Sequence, residues 1–87
     1  MGEWVPTEWV DGKKFLDFIT PYILYEPRSG GGGSWFLNGI QFPGKSKTRY
    51  TIQKLQKGQR RRLKMWTAER IFQEADLPLH ELENMRL

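Results

Sequence analysis

A run of lysines and arginines with no acidic neighbour is the part of this sequence best suited to binding chemistry. Between Gly44 and Ala68 the chain carries nine cations and no aspartate or glutamate. The nine are Lys45, Lys47, Arg49, Lys54, Lys57, Arg60, Arg61, Arg62 and Lys64. Like charges at this density repel one another, and a bound polyanion relieves that repulsion. The run therefore predicts a nucleic-acid-binding surface, and the alternative is a solvated basic face.

Some side chains in the run can do more than neutralise phosphates. The guanidinium of arginine is a flat fork that matches a phosphate or the edge of guanine, so 60–62 is the segment expected to read base edges. Glutamine can hydrogen-bond to adenine or to the nucleic-acid backbone. The glutamines of the run are Gln53, Gln56 and Gln59.

Two aromatic residues, Tyr50 and Trp66, are interleaved with the cations. If exposed, their rings can stack on unpaired bases. A chain of 87 residues has little core to spare, which favours both rings as buried anchors. The pattern therefore predicts a basic ribbon on a duplex rather than a stacking platform for single strands, with DNA slightly favoured over RNA.

Catalytic and metal chemistry find little support in the composition. The chain has no cysteine and a single histidine, His80, which is read as a surface side chain beside Glu81. No enzyme activity, metal or cofactor is therefore expected. The longest apolar stretches are far shorter than a membrane span, so no membrane partner is expected, and the absence of cysteine suits an intracellular protein.

A glycine-rich segment divides the chain into parts of opposite charge. Residues 29–34 read Ser-Gly-Gly-Gly-Gly-Ser, which predicts a flexible linker and is typical of an engineered loop replacement or fusion joint, although natural loops of this kind exist. Residues 1–27 have a net charge of −3 and residues 35–87 a net charge of +6. We interpret 1–87 as one small domain. The alternative is a protein interaction module, in which the acidic aromatic segment 1–27 is tethered to a basic domain 35–87.

The first half of the chain carries clear local signals for its elements. Asp11 can cap a helix over Gly12–Thr20 whose core-facing residues are expected to be Phe15, Leu16, Phe18 and Ile19. The apolar run 22–25 between two prolines predicts a strand. Asn38-Gly39 between apolar runs predicts a tight hairpin over 35–42, since both turn positions require positive φ.

The second half is predicted to hold another hairpin. Residues 48–55 alternate as a strand with Tyr50 and Ile52 on one face, Lys57-Gly58 forms the turn, and 61–66 forms the partner strand. A helix over 60–74 is the competing interpretation. Thr67 is expected to cap a following helix, and 79–87 to add a short last one. The order predicts an α+β fold, with a small antiparallel sheet of two hairpins packed on one or two helices.

Overall fold

The computed structural model describes residues 8–87 and confirms the α+β class. The strands are β1 Trp9–Asp11, β2 Ile23–Pro27, β3 Gly33–Leu37, β4 Ile40–Phe42 and β5 Arg62–Lys64. The α-helices are α1 Gly12–Ile19, α2 Lys47–Gln56 and α3 Met65–Glu74. Two 3₁₀ helices follow α1 and α3, at Thr20–Tyr22 and Leu79–Met85.

The strands form two antiparallel sheets rather than one. Strand β1 pairs with β5, and β2, β3 and β4 form a separate meander in that order. The end of the chain closes on the other edge of β1, where Val10 bridges to Arg86 and the Leu87 N–H donates to the Trp9 carbonyl at 3.0 Å. Strand β1 is thus held on both of its edges.

The elements predicted from local signals are confirmed. Asp11 caps α1 by accepting a 2.9 Å hydrogen bond from the Lys13 N–H, and Phe15 and Ile19 face the core. The hairpin turns at Asn38 and Gly39, whose φ values are 54° and 81°. Its turn is anchored by a 2.7 Å hydrogen bond from the Asn38 side chain to the Ala75 carbonyl at the end of α3.

The prediction of a strand over 48–55 is wrong, because this segment forms α2. Ser46 caps the helix by accepting a hydrogen bond from the Arg49 N–H at 3.0 Å. Four side chains of α2 face the core at helical spacing, namely Thr48, Thr51, Ile52 and Leu55. The helix ends in a Schellman motif, with Gly58 at φ 72° and the Gln59 N–H donating to the Lys54 carbonyl. The expected turn at Lys57-Gly58 therefore ends a helix and does not join two strands.

The rest of the predicted basic hairpin is also rearranged. Of the strand expected over 61–66, Arg62–Lys64 is extended, but its partner is β1. The competing helix over 60–74 is wrong in its first turns, since α3 begins at Met65. Thr67 lies inside α3 and is nearly buried, so it is not the cap.

One core draws on both sides of the glycine segment. Phe72 of α3 packs on Phe15 and Phe18, with ring centroids 5.4 and 5.5 Å apart. Gly33 and Ser34 belong to β3, and the remaining glycines form the β2–β3 connection. Shared packing supports one folding unit. The protein partner for segment 1–27 and the engineered origin of 29–34 stay predictions, and residues 1–7 of that segment lie outside the described part.

Candidate nucleic-acid interface

The structure distributes the nine predicted cations over two surfaces. We define the helix face as the exposed side of α2 with its flanks, and the ribbon face as the exposed side of β1 and β5 with the loop before β5. The helix face carries Lys45, Lys47, Lys54 and Lys57. The ribbon face carries Arg60, Arg61, Arg62 and Lys64. Arg49 belongs to neither face.

The helix face follows from the amphipathic pattern of α2. Residues 47, 50, 54 and 57 recur at intervals of three or four, so their side chains lie on one side of the helix. The opposite side carries the core residues of α2. Burial of that opposite side turns every lysine of the α2 segment towards solvent.

Tyr50 lies at the centre of the helix face. Its side chain is 56% exposed, and Lys54 Nζ lies 5.1 Å from the ring centroid. Two shallow grooves of about 390 and 190 Å³ meet at Tyr50 and Gln53. The other lining residues are Gly44, Lys45, Ser46 and Lys47 in the larger groove and Lys54, Lys57 and Gln59 in the smaller. The helix face therefore combines an aromatic ring, an amide and cations without a carboxylate in its lining.

The cations of both faces are not neutralised within the described chain. Throughout residues 8–87, none of the nine lies within 4.0 Å of a carboxylate oxygen. The ion pairs of these residues involve other basic groups, such as Lys13 with Asp17 at 3.0 Å and Arg70 with Glu74 at 3.9 Å. An external anion can thus approach the eight charges of the two faces without displacing a carboxylate.

Arg49 is held against the three-stranded sheet. Its guanidinium carbon lies 5.2 Å from the ring centroid of Trp35 in β3, and the side chain is half-buried. Its Nε is buried and has no hydrogen-bond partner among the described residues. Arg49 therefore contributes to the packing of α2 on the sheet and is the weakest of the nine candidates for phosphate contact.

The ribbon face is built on a short alternation. Val10 and Leu63 point into the core, so their neighbours Arg62 and Lys64 point outward, together with Trp9. Ahead of β5, Arg60 and Arg61 line a groove of about 430 Å³ against the start of α1. The backbone there is fixed by a 2.8 Å hydrogen bond from the Gly12 N–H to the Arg61 carbonyl.

The prediction that Tyr50 and Trp66 are core residues is wrong. Trp66 is 58% exposed at the start of α3, and the guanidinium carbon of Arg70 lies 5.7 Å from its ring centroid. A strand would have placed Tyr50 on the side of Ile52, but two residues in a helix are about 200° apart, so burial of Ile52 exposes Tyr50. Sequence reasoning also missed the outward position of Trp9 beside Arg62 and Lys64, although its alternation with buried Val10 was available as a signal.

The titratable groups near the end of the chain do not line the grooves of either face. His80 is exposed, with Nε2 3.5 Å from a Glu81 oxygen. Near the chain end, a 2.7 Å hydrogen bond from Arg86 lowers the pKa of the Glu83 carboxyl. Within residues 8–87 no three His, Asp or Glu side chains are grouped to hold a metal ion.

Two further findings concern membrane spans and similarity to known proteins. No helix in the described part is both long and apolar enough to cross a membrane. A comparison of the sequence with protein-family models, with curated proteins and with solved structures finds no match.

Proposed function

We propose that this protein binds duplex nucleic acid, with the helix face of α2 in the major groove of DNA. The observation that carries the proposal is the composition of that face: Tyr50, Gln53 and unpaired lysines on one side of a rigidly capped helix. An α-helix has a diameter of about 10–12 Å with its side chains, which fits a major groove about 12 Å wide.

In this proposal the residues of the helix face have different roles. Lys45 and Lys57 flank the two ends of α2, where they can reach the phosphates on either side of a groove. Gln53 lies in the middle with Tyr50, where an amide can pair with the N6 and N7 atoms of adenine. A recognition helix requires residues at its ends that neutralise phosphates and residues at its centre that contact base edges.

The helical form of this site favours DNA over RNA. The major groove of an A-form RNA duplex is deep and narrow, so a helix and its side chains cannot read it. The exposed ring of Tyr50 favours a second candidate, the stacking of unpaired bases on the helix face. The two candidates differ in ligand and share the same residues, so a single set of variants tests both.

A salt titration of binding tests the proposal. Fluorescence anisotropy would measure affinity for mixed-sequence DNA and RNA duplexes and for single strands of each. The variant K47A/K54A removes two cations of the helix face. The slope of log affinity against log salt should become shallower by about 1.8, at about 0.9 per phosphate contact on a duplex. Affinity at about 0.15 M salt should fall by about 30-fold, since each such contact is worth about fivefold there.

The matched control is K14A/R70A, which changes the net charge equally at two cations outside both faces. It should shift affinity by less than about threefold, because neither side chain lines the grooves of the two faces and salt weakens the interaction of exposed charges that are not in contact. Equal losses of affinity for the two variants would show that the effect comes from net charge alone. Binding that is undetectable, or independent of salt, for every nucleic acid would end the proposal.

A further inference from the structure

The ribbon face contains two cations that share one aromatic ring. The Arg62 guanidinium carbon lies 4.2 Å from the ring centroid of Trp9, and Lys64 Nζ lies 5.8 Å from it. Lys64 is opposite Trp9 in the register of β1 and β5, and Arg62 is its diagonal neighbour. Both distances are within the range of about 6 Å over which a ring face attracts a cation.

The acidic residue opposite Arg62 forms its hydrogen bond elsewhere. Asp11 is the cross-strand neighbour of Arg62, and opposite charges at such a position ordinarily pair. Its carboxylate instead accepts the hydrogen bond from the Lys13 N–H that caps α1, and no Asp11–Arg62 ion pair forms. Arg62 instead lies on the ring of Trp9 and forms no ion pair with a carboxylate among the described residues, so its N–H groups remain available to a ligand.

The backbone that carries the ring is held by hydrogen bonds to two other segments. The Trp9 carbonyl accepts the Leu87 N–H, and the neighbouring Glu8 carbonyl accepts the Met65 N–H that starts α3. Val10, the next residue, is fully buried. Because Arg62 and Lys64 already rest on the ring in the free protein, they give up less rotamer freedom when they bind an anion.

The geometry also indicates what Trp9 does not do. A guanidinium at 4.2 Å covers the face of the ring, so that face is closed to a nucleobase. Trp9 instead holds the two cations in place. An arginine guanidinium and a lysine ammonium together recognise phosphate oxygens. Arg60 and Arg61 immediately before β5 add two more cations beside this site, in a groove that Asp11 also lines.

We propose that the ribbon face is a second phosphate-binding surface, separate from the helix face, and that Trp9 is the residue that positions Arg62 and Lys64 in it. This inference rests on the proposed function, since its ligand is the phosphodiester backbone of the same duplex. In this arrangement, β1 and β5 contact the phosphodiester backbone while α2 contacts the bases.

A comparison of Trp9→Leu in two backgrounds tests the positioning role. In the otherwise unchanged chain, Trp9→Leu should weaken duplex binding about two- to fivefold, which is the range of an exposed cation–π interaction. In the R62A/K64A background the same substitution should change affinity by less than about 1.5-fold, because the cations on which Trp9 acts are gone. Trp66→Leu, at an exposed tryptophan with its own arginine, is the matched control and should have little effect.

Three results would overturn the inference. One is an equal loss from Trp9→Leu in both backgrounds, which indicates a general effect on the fold. Another is an unchanged affinity for R62A/K64A, whose side chains are exposed and whose removal should cost about 30-fold at two phosphate contacts. The third is a Trp9→Phe variant as weak as Trp9→Leu, since phenylalanine retains a ring face. Trp9→Phe and R62A/K64A keep the test decisive if Trp9→Leu unfolds.

The failures of the two proposals are distinguishable. If K47A/K54A weakens binding and R62A/K64A does not, the helix face stands and the ribbon inference fails. If R62A/K64A weakens binding and K47A/K54A does not, the proposed role of α2 fails and the ribbon retains its phosphate contacts. If neither variant changes a salt-dependent affinity, both proposals fail.

Discussion

Helices α2 and α3 carry the same local motif in opposite electrostatic settings. Each has ten residues and an exposed aromatic ring four positions before a cation, Tyr50 with Lys54 and Trp66 with Arg70. The centroid distances are similar, 5.1 and 5.7 Å. Yet α2 contains no acid, whereas in α3 the cation has a carboxylate oxygen of Glu74 at 3.9 Å. An exposed aromatic–cation pair is therefore a candidate for polyanion binding only where no carboxylate already partners its cation.

The two helices also differ in what they give the fold. Helix α3 supplies Ala68, Ile71 and Phe72, which are wholly buried. Helix α2 faces the core with two threonines beside its two aliphatic residues. Thr48 donates a 2.5 Å hydrogen bond to Glu74, so α2 is tied to α3 by a polar contact as well as by packing. We infer that α3 mainly stabilises the domain and that α2 mainly presents a surface.

The largest expected effect is on stability at α3. Phe72→Ala should lower the free energy of unfolding by about 3–5 kcal/mol, because a buried ring that packs on two others leaves a cavity. Tyr50→Ala on α2 should change it by about 0.5 kcal/mol or less, since its ring is exposed. Urea denaturation of both variants measures the difference. Similar losses at the two sites would contradict the division of roles between the helices.

Charge reversal should separate the helices in binding. Lys54→Glu places an acid in the centre of the helix face, and the lost contact together with the new repulsion should weaken duplex binding by about 2 kcal/mol, or about 30-fold. Arg70→Glu makes the same change of charge on α3 and should weaken binding by about threefold or less. Anisotropy titrations at one salt concentration compare them directly. A larger loss of affinity for Arg70→Glu would indicate that α3, and not α2, carries the binding surface.

Removal of the two exposed rings sharpens the same contrast. Tyr50→Ala should reduce affinity by about 1 kcal/mol, about fivefold, as expected for one contact with a base. Trp66→Ala should leave affinity within about twofold. The measurement is made with a duplex and with a single strand. A loss for Tyr50→Ala that is larger on the single strand would favour stacking on unpaired bases over major-groove recognition.

A smaller effect on the free energy of unfolding is expected at the N-terminal ends of the two helices. Ser46 accepts a hydrogen bond from the Arg49 N–H, so Ser46→Ala should lower the free energy of unfolding by about 1 kcal/mol. Lys64 precedes α3 without a capping side-chain hydrogen bond, so Lys64→Ala should change stability by about 0.5 kcal/mol or less. Thermal unfolding of the pair checks this. Equal losses would mean that the Ser46 hydrogen bond adds little.

The last contrast lies at the C-terminal ends of the two helices, and its smallest effect is expected in α3. Both end in a Schellman motif, α2 with Gly58 at φ 72° and α3 with Asp76 at φ 55°. Glycine adopts this conformation without strain, so Asp76→Gly should raise the free energy of unfolding by about 0.5 kcal/mol. Gly58→Ala should lower it by about 1 kcal/mol. A loss of stability in Asp76→Gly would show that the aspartate contributes more than its backbone conformation costs.

Much of the fold could be predicted because its signals are local. The cap at Asp11 and the turn at Asn38-Gly39 depend on residues close in the chain, and both are present in the structure. Helix α2 had equivalent signals in Ser46 and Gly58. The alternation around Tyr50 and Ile52 nevertheless predicts a strand, because the helical stripe contains Thr48 and Thr51, which are polar by hydropathy. Their burial depends on α3 and other elements distant in the chain.

The candidate site was predictable in composition and not in shape. All nine cations could be named from the sequence, and the structure leaves them without carboxylate partners within the described residues. The single ribbon expected for them is instead two faces, because β5 pairs with β1 rather than with its neighbour in the chain. Arg49 is the exception, since Trp35 lies beside it only after α2 packs on the sheet.

The sequence by itself determined the acid-free charge of residues 45–64, the α+β class and the turns and caps whose hydrogen bonds join near neighbours. Only the tertiary structure decided which side of α2 faces solvent, which cations share a face, and that Arg62 lies on Trp9 while Asp11 caps a helix. The reason is physical. Composition and local hydrogen bonds are properties of short segments, whereas burial and strand pairing depend on contacts between segments far apart in the chain.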